Sequence, residues 1–86
     1  MIKKANFKLN IKQKEIIEKK ITTDFIKLDA FLKLCDIAQT GGHAKIIIQD
    51  GDAKVNGEVC LQRGKKLHSG DEVEIYGKVY KLIWKF

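Results

Sequence analysis

The sequence of 86 residues lacks features that whole classes of protein require. No apolar run approaches the roughly 20 residues that a membrane-spanning helix needs. Polar residues follow at once after the basic start at residues 1–4, where a secretory signal would have its apolar segment. There are only two cysteines, Cys35 and Cys60, far fewer than a disulfide-stapled domain uses. We therefore expect a cytoplasmic protein with reduced thiols and no membrane partner.

The sequence also lacks the residue sets on which enzymes and metal sites depend. It offers no Ser/His/Asp or Cys/His set, no phosphate-cradling glycine loop and no pair of carboxylates flanking a pocket. The candidate metal ligands are His43, His68, Cys35 and Cys60, and no pair of them has C-x-x-C or H-x-x-x-H spacing. The sequence therefore predicts a non-catalytic protein with no metal and no other cofactor.

Positive charge is concentrated at the start of the chain. The 17 Lys and Arg against 11 Asp and Glu give a net charge of +6. Residues 1–20 hold seven lysines and two glutamates, a net +5, whereas residues 21–86 hold ten basic and nine acidic groups, a net +1. A lysine-rich segment suits phosphate binding through counterion release, and a solvated tail that aids solubility explains it equally well. We predict a basic arm over residues 1–20 and a folded domain over residues 21–86.

Secondary structure within the arm is hard to predict. Asn10 and Gln13 resemble a capping box that would begin a helix over residues 11–20, but the apolar stripe of that helix is thin. Residues 7–11 alternate as a strand does. The arm is therefore predicted to be weakly structured. Residues 21–26 are rich in β-branched and aromatic side chains, which favours a strand.

Two helices joined by glycines are predicted next. The first has Asp29 near its positive end and carries an apolar face of Leu28, Phe31, Leu32, Leu34, Cys35 and Ala38. Gly41-Gly42 would end it and lead directly into the second helix, making a steep αα corner. In the second helix Ala44 faces the core with Ile47 and Ile48. The residues left outside are His43, Lys45, Ile46 and Gln49. Gly51 would end this helix with a positive φ.

Two β-hairpins complete the predicted domain. Asn56-Gly57 follows the alternating Ala53 and Val55 and predicts a type I′ turn into a return strand. A later hairpin about Gly77-Lys78 would pair Ile75 with Tyr80 and Val73 with Leu82. That pairing places one set of side chains on a single face, namely Val73, Ile75, Tyr80, Leu82 and Trp84. Helices on one side of a small, mostly antiparallel sheet make an α+β domain.

Four short motifs occur in order along these elements. They are Lys27-Leu28-Asp29-Ala30-Phe31-Leu32, Ala44-Lys45, Gly51-x-x-x-Val55-Asn56-Gly57 and Gly70-Asp71-x-Val73-x-Ile75. Together they resemble the S-four RNA-binding domain, or αL motif, from residue 22 to about residue 83. The likeness is greatest to small stand-alone bacterial members of the YaaA/YbcJ type. The resemblance implies a monomer that binds structured RNA, either rRNA or tRNA, with the ribosome as a candidate partner.

The resemblance also implies where RNA is bound. Larger members begin the second helix with Ser-Arg, and the arginine contacts RNA; here Gly42-His43 stand at those positions, with Lys45 two residues on. A titratable ring and a flexible ammonium thus replace a planar bidentate donor. Asn56 is typical of a turn former as well as of a ligand. The predicted RNA-binding residues are Lys27, Lys33, His43, Lys45, Lys54, Asn56, Arg63, Lys65 and Lys66.

Ile46 is an apolar residue in the middle of this predicted binding face. It could pack on a ribose, on a protein partner or under the N-terminal arm. A second hypothesis is therefore a protein-interaction module that keeps the fold and docks a partner around Ile46. Salt separates the two hypotheses, because phosphate binding weakens steeply with salt whereas an apolar interface hardly responds.

Overall fold

The computed structural model describes residues 15–85, and within them the chain forms two helices and seven strands. In chain order these are β1 (Glu15–Ile21), β2 (Ile26–Lys27), α1 (Leu28–Leu34), α2 (Gly41–Gln49), β3 (Lys54–Val55), β4 (Glu58–Val59), β5 (Lys66–Leu67), β6 (Glu72–Ile75) and β7 (Lys78–Trp84). A five-stranded sheet has the order β1-β7-β6-β3-β4, and β2 pairs with β5 in a separate ribbon. Every pair is antiparallel except β1 with β7. The predicted α+β class is confirmed.

The first helix is shorter than the sequence predicts. Its buried stripe consists of Leu28, Phe31 and Leu32. The helix ends at Leu34, because Asp36 takes a positive φ of 61° and turns the chain away from the helix axis. The predicted ending at Gly41-Gly42 is therefore wrong, and these glycines form the first turn of α2 instead. Leu34, predicted on the apolar face, is 45% exposed, whereas Ala38 is buried although it lies beyond the helix.

The second helix confirms its prediction closely. Thr40 caps it, with its Oγ1 accepting a hydrogen bond from the N–H of His43 at 3.0 Å. The buried side consists of Ala44, Ile47 and Ile48, and the exposed side includes His43, Lys45, Ile46 and Gln49. Gly51 has the positive φ, 82°, that was predicted for the helix stop, and its N–H donates to the carbonyl of Ile48.

Strand β1 lies inside the predicted basic arm. It pairs with β7 in parallel over all seven of its residues. The prediction of weak structure, or of a helix, is therefore wrong for residues 15–20. The capping box and the alternating segment predicted earlier in the arm lie outside the described residues. The strand predicted over residues 21–26 is also wrong, since Ile21 ends β1, Ile26 begins β2 and the residues between them belong to neither.

The turn between β3 and β4 is the predicted type I′ turn. Asn56 and Gly57 both have positive φ, 50° and 89°, and Val55 pairs with Glu58 across them. This conformation matches the right-handed twist of the two strands, so the loop needs only two residues.

The hairpin of β6 and β7 has a different register from the predicted one. Its turn is Tyr76-Gly77, with φ of 51° and 80°, and it pairs Ile75 with Lys78 and Val73 with Tyr80. The predicted pairing is wrong by two residues. Because side chains alternate with a period of two, that error leaves the predicted face unchanged. Its members Val73, Ile75, Tyr80 and Leu82 are buried, while Trp84, at the end of β7, is 41% exposed.

The core lies between the helices and one face of the five-stranded sheet. Phe31 of α1 meets Tyr80 of β7 edge to face, with ring centroids 6.4 Å apart, and the ribbon adds the buried Leu67. No charged or polar side chain among residues 15–85 is buried. Neither helix in that range is long and apolar enough to cross a membrane. The predicted RNA-binding residues therefore all lie at or near the surface, where the fold decides which of them meet.

Candidate nucleic-acid interface

The loop over residues 62–66 lies against the beginning of α1. The N–H of Leu28 donates to the carbonyl of Lys65 at 2.9 Å, and the N–H of Asp29 donates to the carbonyl of Arg63 at 3.0 Å. These are N–H groups that the first turn of a helix leaves without a partner inside the helix. The loop thus caps α1 with its backbone, and its cations are held beside the helix that it caps.

Arg63 connects this loop to both helices. Its Nε donates to Asp29 Oδ2 at 3.0 Å, and its Nη2 would lie 3.3 Å from a Cβ placed on Gly41, in the first turn of α2. The two side chains of the ion pair are 43% and 20% exposed, so we assign the pair only about 0.2–1 kcal/mol. Only the Nε of the guanidinium is engaged by Asp29, and the group remains partly exposed. Arg63 therefore links the two helices, and the remaining N–H groups of its guanidinium can still donate to a phosphate.

Lys27 and Lys66 stand directly opposite each other across the ribbon of β2 and β5. The Cβ atoms of directly opposed residues on antiparallel strands are only about 4.5–5.5 Å apart. Like charges placed opposite each other are destabilising. The ammonium of Lys66 lies 4.8 Å from the centroid of the Phe25 ring. The ribbon thus places two positive charges close together, and a bound anion would reduce the repulsion between them.

His43 and Lys45 lie on the exposed side of α2, two and four residues after the Gly41 that Arg63 approaches. The N–H of Gln39 donates to His43 Nδ1 at 3.4 Å. An acceptor Nδ1 leaves the ring proton on Nε2, so the imidazole offers one N–H donor to the outside. No acidic residue stands in the first turn of α2. The partial positive charge of the helix start is therefore not offset within the helix, and it favours an anion near His43.

Asn56 is held by the neighbouring turn. Its Oδ1 accepts from the N–H of Glu72 at 3.0 Å, and its Nδ2 donates to Asp71 Oδ1 at 3.1 Å. The other oxygen of Asp71 accepts from the N–H of His68 at 2.7 Å. The amide of Asn56 thus ties the β3–β4 turn to the start of β6. Of the two roles predicted for Asn56, the structure accounts for the turn former.

An open groove of about 630 Å³ runs between the β3–β4 hairpin and the loop. It is lined by Val55, Asn56, Glu58, Val59, Cys60, Leu61, Gln62 and Lys65. Lys65 is therefore the predicted RNA-binding cation that borders both the groove and the first turn of α1. The groove is wide and shallow, a shape that suits an extended backbone better than a small molecule.

Two predicted cations lie apart from this group. Lys33 is in the last turn of α1, at the end of the helix away from the loop. Lys54 is on β3, opposite Val59 of β4 and Glu74 of β6, on the exposed side of that strand. The structure thus brings Lys27, Arg63, Lys65 and Lys66 together beside the start of α1, and Arg63 reaches from there to the first turn of α2. Lys33 and Lys54 lie at separate places on the surface.

Two positioning residues were missed by the sequence analysis. Thr40 caps α2, and a threonine directly before a helix is itself a recognised signal for this role. Asp29 was assigned only to the helix dipole, yet it also binds Arg63, which is 34 residues away in the chain. Nothing local in the sequence indicates that second role.

Two cysteines lie within the described residues, and both are free thiols. Burial raises the pKa of the Cys35 thiol to about 11, so it stays protonated at neutral pH, and its side chain packs beside the core. Cys60 Sγ lies 3.7 Å from the carbonyl of Gln62, as a weak donor. Over residues 15–85 no three side chains of the metal-binding types lie close enough to share an ion.

The fold and its clustered cations define an α+β domain of the αL type that is suited to nucleic acid. The family model described as the S4 domain matches residues 19–83 of this chain. A curated relative, "Probable ribosome maturation protein RlbA" of Bacillus subtilis (strain 168), is 47% identical over 57 residues, which cover 66% of this chain and 80% of the relative. The chain therefore belongs to the S4 domain family of RNA-binding domains, which confirms the resemblance found in the sequence.

Proposed function

We propose that this protein is a non-catalytic RNA-binding protein that contacts the backbone of structured RNA. The observation that carries the proposal is the grouping of Lys27, Arg63, Lys65 and Lys66 beside the start of α1, from which Arg63 reaches the first turn of α2, where no acidic residue stands. Membership of the S4 domain family supports RNA as the ligand. The similarity to a relative named for ribosome maturation favours rRNA over tRNA, with the ribosome or its precursors as the partner.

The proposed mechanism is electrostatic and depends on shape. One phosphate would lie between Lys27 and Lys66, relieving their repulsion, and a second would lie at the start of α2 near His43 and Lys45. The extended backbone between them would follow the groove past Lys65. Lysines on flexible stems contact phosphate as point charges, so this arrangement selects the spacing of phosphates rather than the identity of bases.

The remaining expectations belong to the same proposal. The protein would act in the cytoplasm as a monomer, since the proposed interface uses a single copy of the domain. The five lysines of residues 1–14, which precede β1, would add attraction at longer range, because their charge needs no fixed geometry to raise the local concentration of RNA.

The salt dependence of RNA binding tests the proposal. The double variant Lys45→Gln/Lys65→Gln removes two cations from the proposed interface. We expect the slope of log affinity against log salt to fall by about 0.7–0.9 for each lost contact, measured by fluorescence anisotropy with a labelled rRNA hairpin. The matched control is Lys20→Gln/Lys81→Gln, which removes the same charge.

The control residues lie on the sheet face away from the helices, since Lys20 precedes the buried Ile21 and Lys81 stands between the buried Tyr80 and Leu82. We expect the control variant to keep the slope of the parent within about 0.3, because the slope counts the phosphates that are contacted and neither control lysine lies at the proposed interface. Equal losses in the two double variants would show that binding is not located at this interface and would contradict the proposal.

The alternative is a protein-interaction module centred on Ile46, which is 59% exposed on α2. An apolar side chain exposed to this extent in the middle of a polar helix face is the observation that favours it. The same measurement separates the two functions. If the affinity for RNA were weak and did not change with salt, the result would favour the protein-interaction module over binding of the RNA backbone.

A further inference from the structure

The ribbon of β2 and β5 presents four side chains on one exposed face. Phe25 and Lys27 are two residues apart on one side, and Lys66 and His68 are two residues apart on the other, so each pair points the same way. Lys27 pairs with Lys66, and continuing the same register sets Phe25 opposite His68. The Phe25 and His68 ring centroids are 6.3 Å apart, in agreement with that register. We call these four residues the ribbon platform.

The opposite face of the ribbon packs on the core, whereas the platform faces outward. Leu67 is fully buried on the inner face, with Ile26 packed beside the core. Phe25 is 38% exposed and the other three members of the platform are exposed. The Phe25 ring lies outside the core and contacts the Lys66 ammonium and the His68 ring, so it is partly open to a ligand. A partly exposed ring beside cationic side chains suits a ligand that combines an anionic group with a flat apolar group.

The groups that face the platform define its charge. Lys27 and Lys66 are positive, and His68 Nδ1 lies 3.9 Å from Asp71 Oδ2, which also accepts the backbone N–H of His68. The Asp71 carboxylate is thereby engaged in holding His68. The ammonium of Lys66 lies over the Phe25 ring, 4.8 Å from its centroid. The platform thus combines a π surface with two cations within the span of one nucleotide.

We propose that the ribbon platform binds an unpaired nucleotide of RNA, its base stacked on Phe25 and its phosphate between Lys27 and Lys66. This inference rests on the proposed function and adds the class of RNA, namely RNA with unpaired bases. Bases within a duplex are already stacked on both faces, so only a splayed base can reach an aromatic side chain. Lys66 would leave the ring for the phosphate, exchanging an exposed cation–π contact for the stronger base stacking.

The test compares two labelled hairpin RNAs that share a stem and have the same number of loop phosphates. One loop carries unpaired adenines and the other carries abasic sites, so that only the bases differ. We expect the parent protein to bind the adenine loop about tenfold more tightly than the abasic loop. Phe25→Leu should abolish that preference while keeping the affinity for the abasic loop, whereas Phe25→Tyr should retain it.

Tyr76→Leu is the matched control, since it removes another exposed ring, in the β6–β7 turn, and it should keep the preference. The platform proposal would be overturned if the parent protein showed no preference for the adenine loop, or if Phe25→Leu kept that preference. In either case, a steep salt slope would still support binding of the RNA backbone. If the parent bound neither hairpin with salt-dependent affinity, the proposed function itself would fail. The comparison of the adenine and abasic loops uses the parent protein alone, so it remains a valid test even if a substitution affects folding.

Discussion

Replacing Asn56 separates its two predicted roles, because the structure assigns it a measurable part in stability. Asn56→Gly keeps the positive φ of 50° at no steric cost but removes the hydrogen bonds to Asp71 and to the N–H of Glu72. Each bond contributes about 0.5–1.5 kcal/mol net, and because both are exposed we take a total loss of about 1–2 kcal/mol. Asn56→Ala loses the same bonds and adds about 1–2 kcal/mol for a Cβ in the left-handed region.

The expected order of stability is therefore the parent, then Asn56→Gly, then Asn56→Ala. A change of 1 kcal/mol shifts the melting temperature of a domain of this size by about 4–8 °C, so circular-dichroism melting resolves all three proteins. At a temperature where all three are folded, RNA affinity should change less than twofold. The reasoning would be refuted if both variants melted with the parent, or if Asn56→Ala were at least as stable as Asn56→Gly. A loss of RNA affinity without a loss of stability would make Asn56 a ligand instead.

Two further predictions concern the β3–β4 turn and α2. Gly57 has a φ of 89° with open space around it, so Gly57→Val should cost about 1–2 kcal/mol through backbone strain alone, and an unchanged urea midpoint would contradict the turn assignment. Ala44 is fully buried, so Ala44→Glu should place an unpaired carboxylate in the core, at a cost of several kcal/mol, and unfold or loosen the domain in a thermal melt. The neighbouring Lys45→Glu should stay within about 0.5 kcal/mol of the parent yet weaken RNA binding in a gel shift, and unchanged binding would exclude α2 from the RNA face.

The outcome along the chain shows which features local sequence could predict. Helix α2 was predictable because its apolar spacing, its glycine stop at Gly51 and the following Asn56-Gly57 turn are all local signals that agree. Helix α1 was predicted too long because it ends through a positive φ at Asp36, and no glycine marks that position. The β6–β7 register was wrong for a similar reason, since Tyr76 takes a conformation that an aromatic residue rarely adopts.

Strand β1 illustrates a different limit. Its residues have a poor apolar pattern, with Ile16 66% exposed and only Ile21 fully buried, so neither a strand nor a helix stands out from the sequence. The strand exists because its backbone pairs in parallel with β7, more than 60 residues further along the chain. Strand propensity depends on the neighbour that a strand finds, and a local pattern cannot identify that neighbour.

The candidate interface divides in the same way. The sequence alone determined which residues are cationic, that α2 carries Lys45 on its outer side, and that Asn56-Gly57 makes a tight turn, because charge, helical period and turn geometry act within a few residues. Only the tertiary structure decided that Arg63 binds Asp29 and that Lys27 stands opposite Lys66. The two residues of each pair are separated by more than 30 residues. They meet because Leu28 and Leu67, which lie beside them in the chain, are both buried in the core. Bringing such distant segments together depends on tertiary packing, which residue spacing along the chain does not reveal.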